Sequence, residues 1–321
     1  MKSILRACRF CLLCAGLLPV PEAVAADRPL PSELTLNGVE LVLIPQGKFW
    51  YTVSTGDYSK RPVDAPLYRH VRIVLDDFYI AKYEARASDF ERFMNSGAAI
   101  LPEPAVIDGV VEKHIECSVE RGADGVWRRT PNFKHPNAPV VDLSWSLADA
   151  FARWMGFRLP TEAEWEKSAR GPVDQRLWPW GSNHPDDTYG HFALRAAKCN
   201  PEPVTAYPKG QSPYGIFNMA GNVVEWVADW YNVDFDLALV DGARNPKLAE
   251  QGSLLVGMEE PMKLRKGGRW PYDAEGTVIV WRGPQNPEIF NAPQGVRFAV
   301  DAGVVRDALE TRAQALNGER K

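Results

Sequence analysis

Apolar residues along this chain fall in short runs broken by turn formers, and few stretches hold a helical period. Val39 to Ile44, closed by Pro45-Gln46-Gly47, reads as a strand and turn; Val71 to Leu75 and Phe78 to Ile80 make a second extended run. Ala87 to Met94 (ASDFERFM) has helical spacing, with Ser88 as candidate N-cap and Asn95-Ser96-Gly97 as its stop. Ser146 to Met155 (SLADAFARWM) is a second amphipathic helix, capped by Ser144 or Ser146 and halted at Gly156. In RLPTEAEWE, Pro160 bars an earlier start, and Thr161 with Glu164 forms the capping box of a third helix. Residues 98 to 138 have weak periodicity and scattered charge, and read as an excursion over the surface. Beyond Pro172, Gly, Pro and Trp recur too often for long helices until a polar tail after Asp301, where Val304, Val305, Leu309 and Leu316 regain helical spacing.

Composition sharpens this picture. At 45% hydrophobic and 24% charged, the 321 residues suffice for a proper core. The 11 tryptophans and 26 prolines predict loops pinned by aromatic anchors rather than long regular elements.

The first residues have the layout of a secretory signal. Lys2, Arg6 and Arg9 precede a short apolar stretch from Phe10 to Val20, and Ala23-Val24-Ala25 is an A-x-A cleavage site. The expected mature chain begins at Ala26, and the apolar stretch is too short to span a bilayer. Without residues 1–25 the balance is 34 basic against 40 acidic residues, which points to neither nucleic acid nor anionic lipid. Cys8, Cys11 and Cys14 leave with the signal, so their regular spacing is no metal site. Cys117 and Cys199 remain, either as a disulfide or as two separate buried thiols.

Several unusual segments follow in fixed order: LVLIPQGKFW, FYIAKYEARASDFERF, PVVDLSWSLADAFARWMGFRLPTEAEWEKSARG, WPWG, YGIFNMAGNVVEWVADWY, RKGGRW and GVRF. Together they resemble the formylglycine-generating-enzyme, or sulfatase-modifying-factor, family. The resemblance implies an α+β fold, an elaborated C-type-lectin-like domain that is rich in loops and modest in regular structure. It would occupy residues 39–301, after a leader at 26–38 and before the tail at 302–321. Within it, Trp145, Trp165, Trp178 and Trp180 read as packing anchors. His70, His114, His135, His184 and His191 are dispersed and lack the spacing of a His-based iron centre.

The same resemblance implies a structural Ca²⁺ at Asn218, Gly221, Val223 and Glu225, where an amide oxygen, two main-chain carbonyls and a carboxylate are hard donors. The other reading of this segment is an Asn-Gly turn entering a buried strand, with Glu225 hydrogen-bonded to backbone amides. A second family calcium site looks eroded at Tyr189-Gly190-His191-Phe192.

The chain departs from the family after Gly267-Gly268. Arg269 stands where the enzymes have Ser, and Tyr272 and Thr277 stand where they have the two cysteines that bind copper(I). Phenol and hydroxyl do not replace soft thiolates, so copper and formylglycine formation are not expected. What remains is Tyr272, Asp273 and Glu275 as candidate acid and base groups, with Arg269, Trp270, Trp281 and Arg282 to hold a substrate. A solvated loop with a structural arginine is the alternative.

Exported, cysteine-less, single-domain members of the family suggest a periplasmic oxidoreductase that acts in the maturation of a pyoverdine-type siderophore. Its partners would be a small-molecule or peptidic siderophore precursor and other periplasmic maturation proteins, with no membrane span. The contrasting hypothesis is a non-catalytic binding or accessory module on the same scaffold.

Overall fold

A two-residue Asn-Gly loop starts the fold: Asn37 and Gly38, at φ 49° and 82°, join β1 (Glu33–Leu36) to β2 (Val39–Ile44). The structure, a computed structural model, describes residues 29–54, 68–101, 106–107, 110–111, 117–192, 201–232, 238–250, 260–268, 274–289 and 293–318. The expected signal segment and Arg269, Trp270, Tyr272, Asp273 and Cys199 lie outside them.

β3 (Gly47–Ser54) and β4 (Tyr68–Leu75) form a long antiparallel ribbon, and β5 (Phe78–Ala81) follows, buried on both faces. Two short hairpins, β6 (Val106–Ile107) with β7 (Val110–Val111) and β8 (Val119–Arg121) with β9 (Trp127–Arg129), lie between the first two helices. Later come β10 (Val224–Trp230), β11 (Lys263–Lys266), β12 (Gly283–Gln285), β13 (Gln294–Val296) and β14 (Ala299–Asp301). One sheet has the order β1-β2-β5-β14 and is antiparallel throughout; the other has the order β12-β11-β10-β13, with β10 and β13 parallel.

The helices are α1 (Ala87–Asn95), α2 (Trp145–Trp154), α3 (Glu162–Arg170) and α4 (Ala302–Gly318). α3 starts where the sequence requires, with both halves of the Thr161 and Glu164 capping box formed. On α2 the cap is Ser144, whose hydroxyl accepts from Leu147 N–H. On α1 the expected Ser88 cap is not used: Arg86 occupies the N-cap position without a side-chain bond, and Ser88 already lies inside the helix.

One core gathers Phe90, Phe93, Phe151, Phe157 and Phe298 beneath the first sheet, with Phe151 edge-on to Phe90 and Phe298, both at 5.2 Å. A second core joins the β3–β4 ribbon, α3 and β10–β11 through Phe49, Tyr51, Ile73, Trp165, Val227 and Leu264. The 98–138 segment is stitched in more firmly than an excursion over the surface. Val119 and Phe133 are fully buried, and the Asn95 side chain exchanges two 2.9 Å hydrogen bonds with the Trp127 backbone.

Cys117 is engaged in a disulfide, and every other cysteine lies outside the described residues. It packs on a small cluster that includes Phe133, Ala138 and Val223. Glu202 N–H meets Asn222 Oδ1 at 2.9 Å and Val204 N–H meets Asn137 O at 2.8 Å, so the chain after Cys199 runs beside the same cluster. Peptide mapping without reductant on the mature protein is expected to find Cys117 joined to Cys199. Two alkylatable thiols would refute this pairing.

Candidate functional site

Two turns frame the site. Asn218 and Asn222 adopt φ 54° and 57° and Gly221 adopts 81°, left-handed conformations that Asn and Gly tolerate. Gly221 N–H donates to Gly267 O at 2.8 Å, which ties this turn to the Gly267-Gly268 turn after β11. Gly268 (φ 69°) has no room for a side chain, since a Cβ would lie 2.6 Å from Gly276 O and 3.0 Å from Thr277 Cα. That packing carries the chain into the segment where the catalytic residues are expected.

Glu225 begins the buried stretch of β10. Its carboxylate accepts from Trp165 Nε1 at 2.7 Å and from Arg297 Nη2 at 2.6 Å, and both its oxygens lie 3.1 Å from Arg297 Nε. Beside this pair Glu84 accepts from Asn218 Nδ2 at 3.0 Å, Asn222 Nδ2 at 2.9 Å and Val223 N–H at 3.3 Å. Glu84, Glu225 and Arg297 are no more than 2% exposed, so a second carboxyl group lies buried beside the Glu225–Arg297 pair. Burial, and then the Glu225 charge, push the Glu84 carboxyl up to about 8.

These contacts test the expected calcium ligands. Asn218 fits a hard cation, because its buried Oδ1 has no hydrogen-bond partner. Glu225 fits poorly: N–H groups occupy its oxygens, and Arg297 balances its charge. The buried carboxyl beside Asn218 is instead Glu84, which burial raises to about 8 and so keeps largely protonated near neutral pH.

Of the expected catalytic and substrate-binding residues, Glu275, Trp281 and Arg282 lie among the described residues. Glu275 lies in a 3-10 turn, Ala274–Thr277, whose last residue is fully buried. Trp281 is half-buried, with its N–H on Val278 O at 2.9 Å. Arg282, expected to hold substrate, instead directs Nε and Nη2 to Glu162 at 2.7 and 2.8 Å. Trp178 and Trp180 stack at 6.1 Å, and Trp180 stacks on Tyr189 at 4.8 Å, consistent with packing anchors.

Sequence reasoning missed Glu84, Arg297 and the pairing of Glu162 with Arg282. The available signal was a lone charge among residues destined for the core: Arg297 between Val296 and Phe298, and Glu84 just after the wholly buried β5.

The Glu84 environment fixes a pH dependence. Its folded pKa exceeds the unfolded one, so the stability linked to its proton is complete below about pH 4.5 and is lost as pH rises to about 8. Asp229, raised by burial to about 7, acts with the same sign. In chelator, the melting temperature of the wild-type protein is expected to fall between about pH 5 and pH 8. Glu84→Gln should remove about half of that slope and leave the Asp229 share. Equal slopes in the two proteins would contradict the assignment.

The pattern of the sulfatase-modifying factor enzyme 1-like domain matches residues 27–302. Formylglycine-generating enzyme of Mus musculus is 31% identical over 274 residues, covering 75% of this chain and 68% of that protein. The enzyme of Thermomonospora curvata is 32% identical over 251 residues, covering 67% and 80%. Among solved structures, PvdO from Pseudomonas aeruginosa aligns with a TM-score of 0.57 at 19% identity, over 85% of this chain and 100% of that one, a likeness of fold. With the two-sheet α+β architecture and the framing turns in place, the chain belongs to the sulfatase-modifying-factor, formylglycine-generating-enzyme-like family.

Proposed function

We propose that this protein is a periplasmic member of the family that serves the oxidative maturation of a pyoverdine-type siderophore, acting on the dihydropyoverdine chromophore. The observation that carries this reading is the exchange at the family's copper positions: Tyr272 and Thr277 replace both cysteines while the scaffold around them is kept. Thr277 is fully buried and packs against Gly268. Formylglycine formation through copper(I) needs thiolates at those two positions. The match to the whole length of PvdO supports the exported, cysteine-less branch, and the A-x-A site at Ala23-Val24-Ala25 supports export. Among the described residues no helix is long and apolar enough to cross a membrane.

Oxidation of a phenolic or catecholic chromophore removes two electrons and two protons; in this proposal the electrons pass to a two-electron acceptor outside the chain, dioxygen or a quinone, and the chain supplies groups for the protons. Glu275 is the base, with Asp273 as second choice. Tyr272 and Trp270 stack on the aromatic substrate, Trp281 borders it, and Arg269 steadies its developing negative charge. Calcium has a structural part in this proposal, held through Asn218 Oδ1 and the carbonyls of Gly221 and Val223, with the Glu84 carboxyl beside them able to ionise next to the ion.

A deletion strain is expected to accumulate the reduced precursor, and a folded Glu275→Gln protein should fail to restore the oxidised fluorophore. Normal fluorophore production in the deletion strain would rule out the proposed role. For calcium, chelation should lower the melting temperature and added Ca²⁺ should restore it, with Asn218→Ala abolishing the response. Identical melting with and without the ion would show a plain turn.

A further inference from the structure

The connection between β11 and β12 begins after Lys266 and ends before Gly283, so Lys266 and Arg282 stand at its two stems. Both cations meet one carboxylate. Arg282 holds Glu162 through Nε and Nη2 at 2.7 and 2.8 Å, and Lys266 Nζ lies 3.4 Å from the same Oε1. Tyr51 Oη donates to Oε2 at 3.0 Å. The backbone of Glu162 is fixed as well, since its N–H donates to Asp229 Oδ2 on β10 at 2.8 Å. Glu162 is 2% exposed and Lys266 fully buried, so water does not screen the arrangement.

The neighbouring acids of α3 have other tasks. Glu164 closes the capping box and pairs with Arg158, while Glu166 binds Thr52 N–H and Arg170 and shares Lys266 with Glu162, at 3.5 Å, but does not bind Arg282. Glu162 is the α3 acid that contacts both stems. Burial pushes its carboxyl upward, but the charges of Arg282 and Lys266 and the hydrogen bonds from Arg282 and Tyr51 prevail and keep it below the usual range.

We infer that Glu162 is a positioning residue: one buried carboxylate that fixes both stems of the β11–β12 connection and thereby sets where Glu275 stands. The link to catalysis rests on the function proposed above, while the clamp itself does not.

Hydrogen exchange on the full mature chain tests the clamp. In Glu162→Gln, peptides covering 263–268 and 276–285 are expected to exchange about tenfold faster or more, while β1, β2 and β5 keep wild-type rates. Arg282→Gln should give the same local pattern, and the double variant should add little to either single change. Rescue by Glu162→Asp should be partial, because the shorter side chain reaches one stem better than both. Unchanged stem exchange in a folded Glu162→Gln protein, or equal acceleration in both sheets, would overturn the inference. If Glu162→Gln does not fold, Arg282→Gln is judged by the same two criteria. These rates do not depend on substrate identity. Failure of the wild-type gene to restore siderophore maturation would therefore sink the proposed function and leave the clamp standing.

Discussion

The guanidinium of Arg297 touches both sheets at once. Nη1 donates to Ala81 O at the end of β5, Nη2 donates to Phe217 O, and Nε and Nη2 bind Glu225 on β10. Glu225 in turn takes the indole N–H of Trp165, which brings α3 into the same contact. Placing this pair in the interior costs several kcal/mol per ion in lost hydration, and only a full set of partners offsets that cost. Loss of either member would strand a charge at a cost of about 3–5 kcal/mol. The turns that frame the site hang from this junction, one entering β10 and the other leaving its neighbour β11.

Much of the scaffold was legible because its signals are local. Val39 to Ile44 appears as a strand with the expected bounds, and Thr161 and Glu164 cap α3, since each depends on residues a few positions apart. Ser88 failed as a cap because the chain enters α1 two residues earlier, where Ala87 N–H bonds to Ala138 O, a contact that local sequence does not reveal. The 98–138 segment looked peripheral because its hairpins are short, although Val119 and Phe133 are core residues.

The candidate site was less legible, for a physical reason. Residue type shows which groups can bind an ion or move a proton, but not which neighbour has already claimed them. Glu225 and Arg282 have the chemistry of a ligand and a substrate clamp, and the fold assigns them to Arg297 and Glu162. Glu84 and Asn218, separated by a long stretch of chain, meet only after folding, and that meeting leaves a carboxyl with a raised pKa and an unpartnered oxygen in the interior.

The placement of the last strands bears on how this chain reaches its native state. β14 borders β5 and β13 borders β10, so residues 294–301 complete both sheets. Pairings this distant in sequence incur a large loop-closure cost before they contribute stability, and they slow folding. Neither sheet can be finished while the C-terminal residues are still on the ribosome. For export of the kind proposed above, such an order postpones closure of both sheets until translocation has delivered these strands.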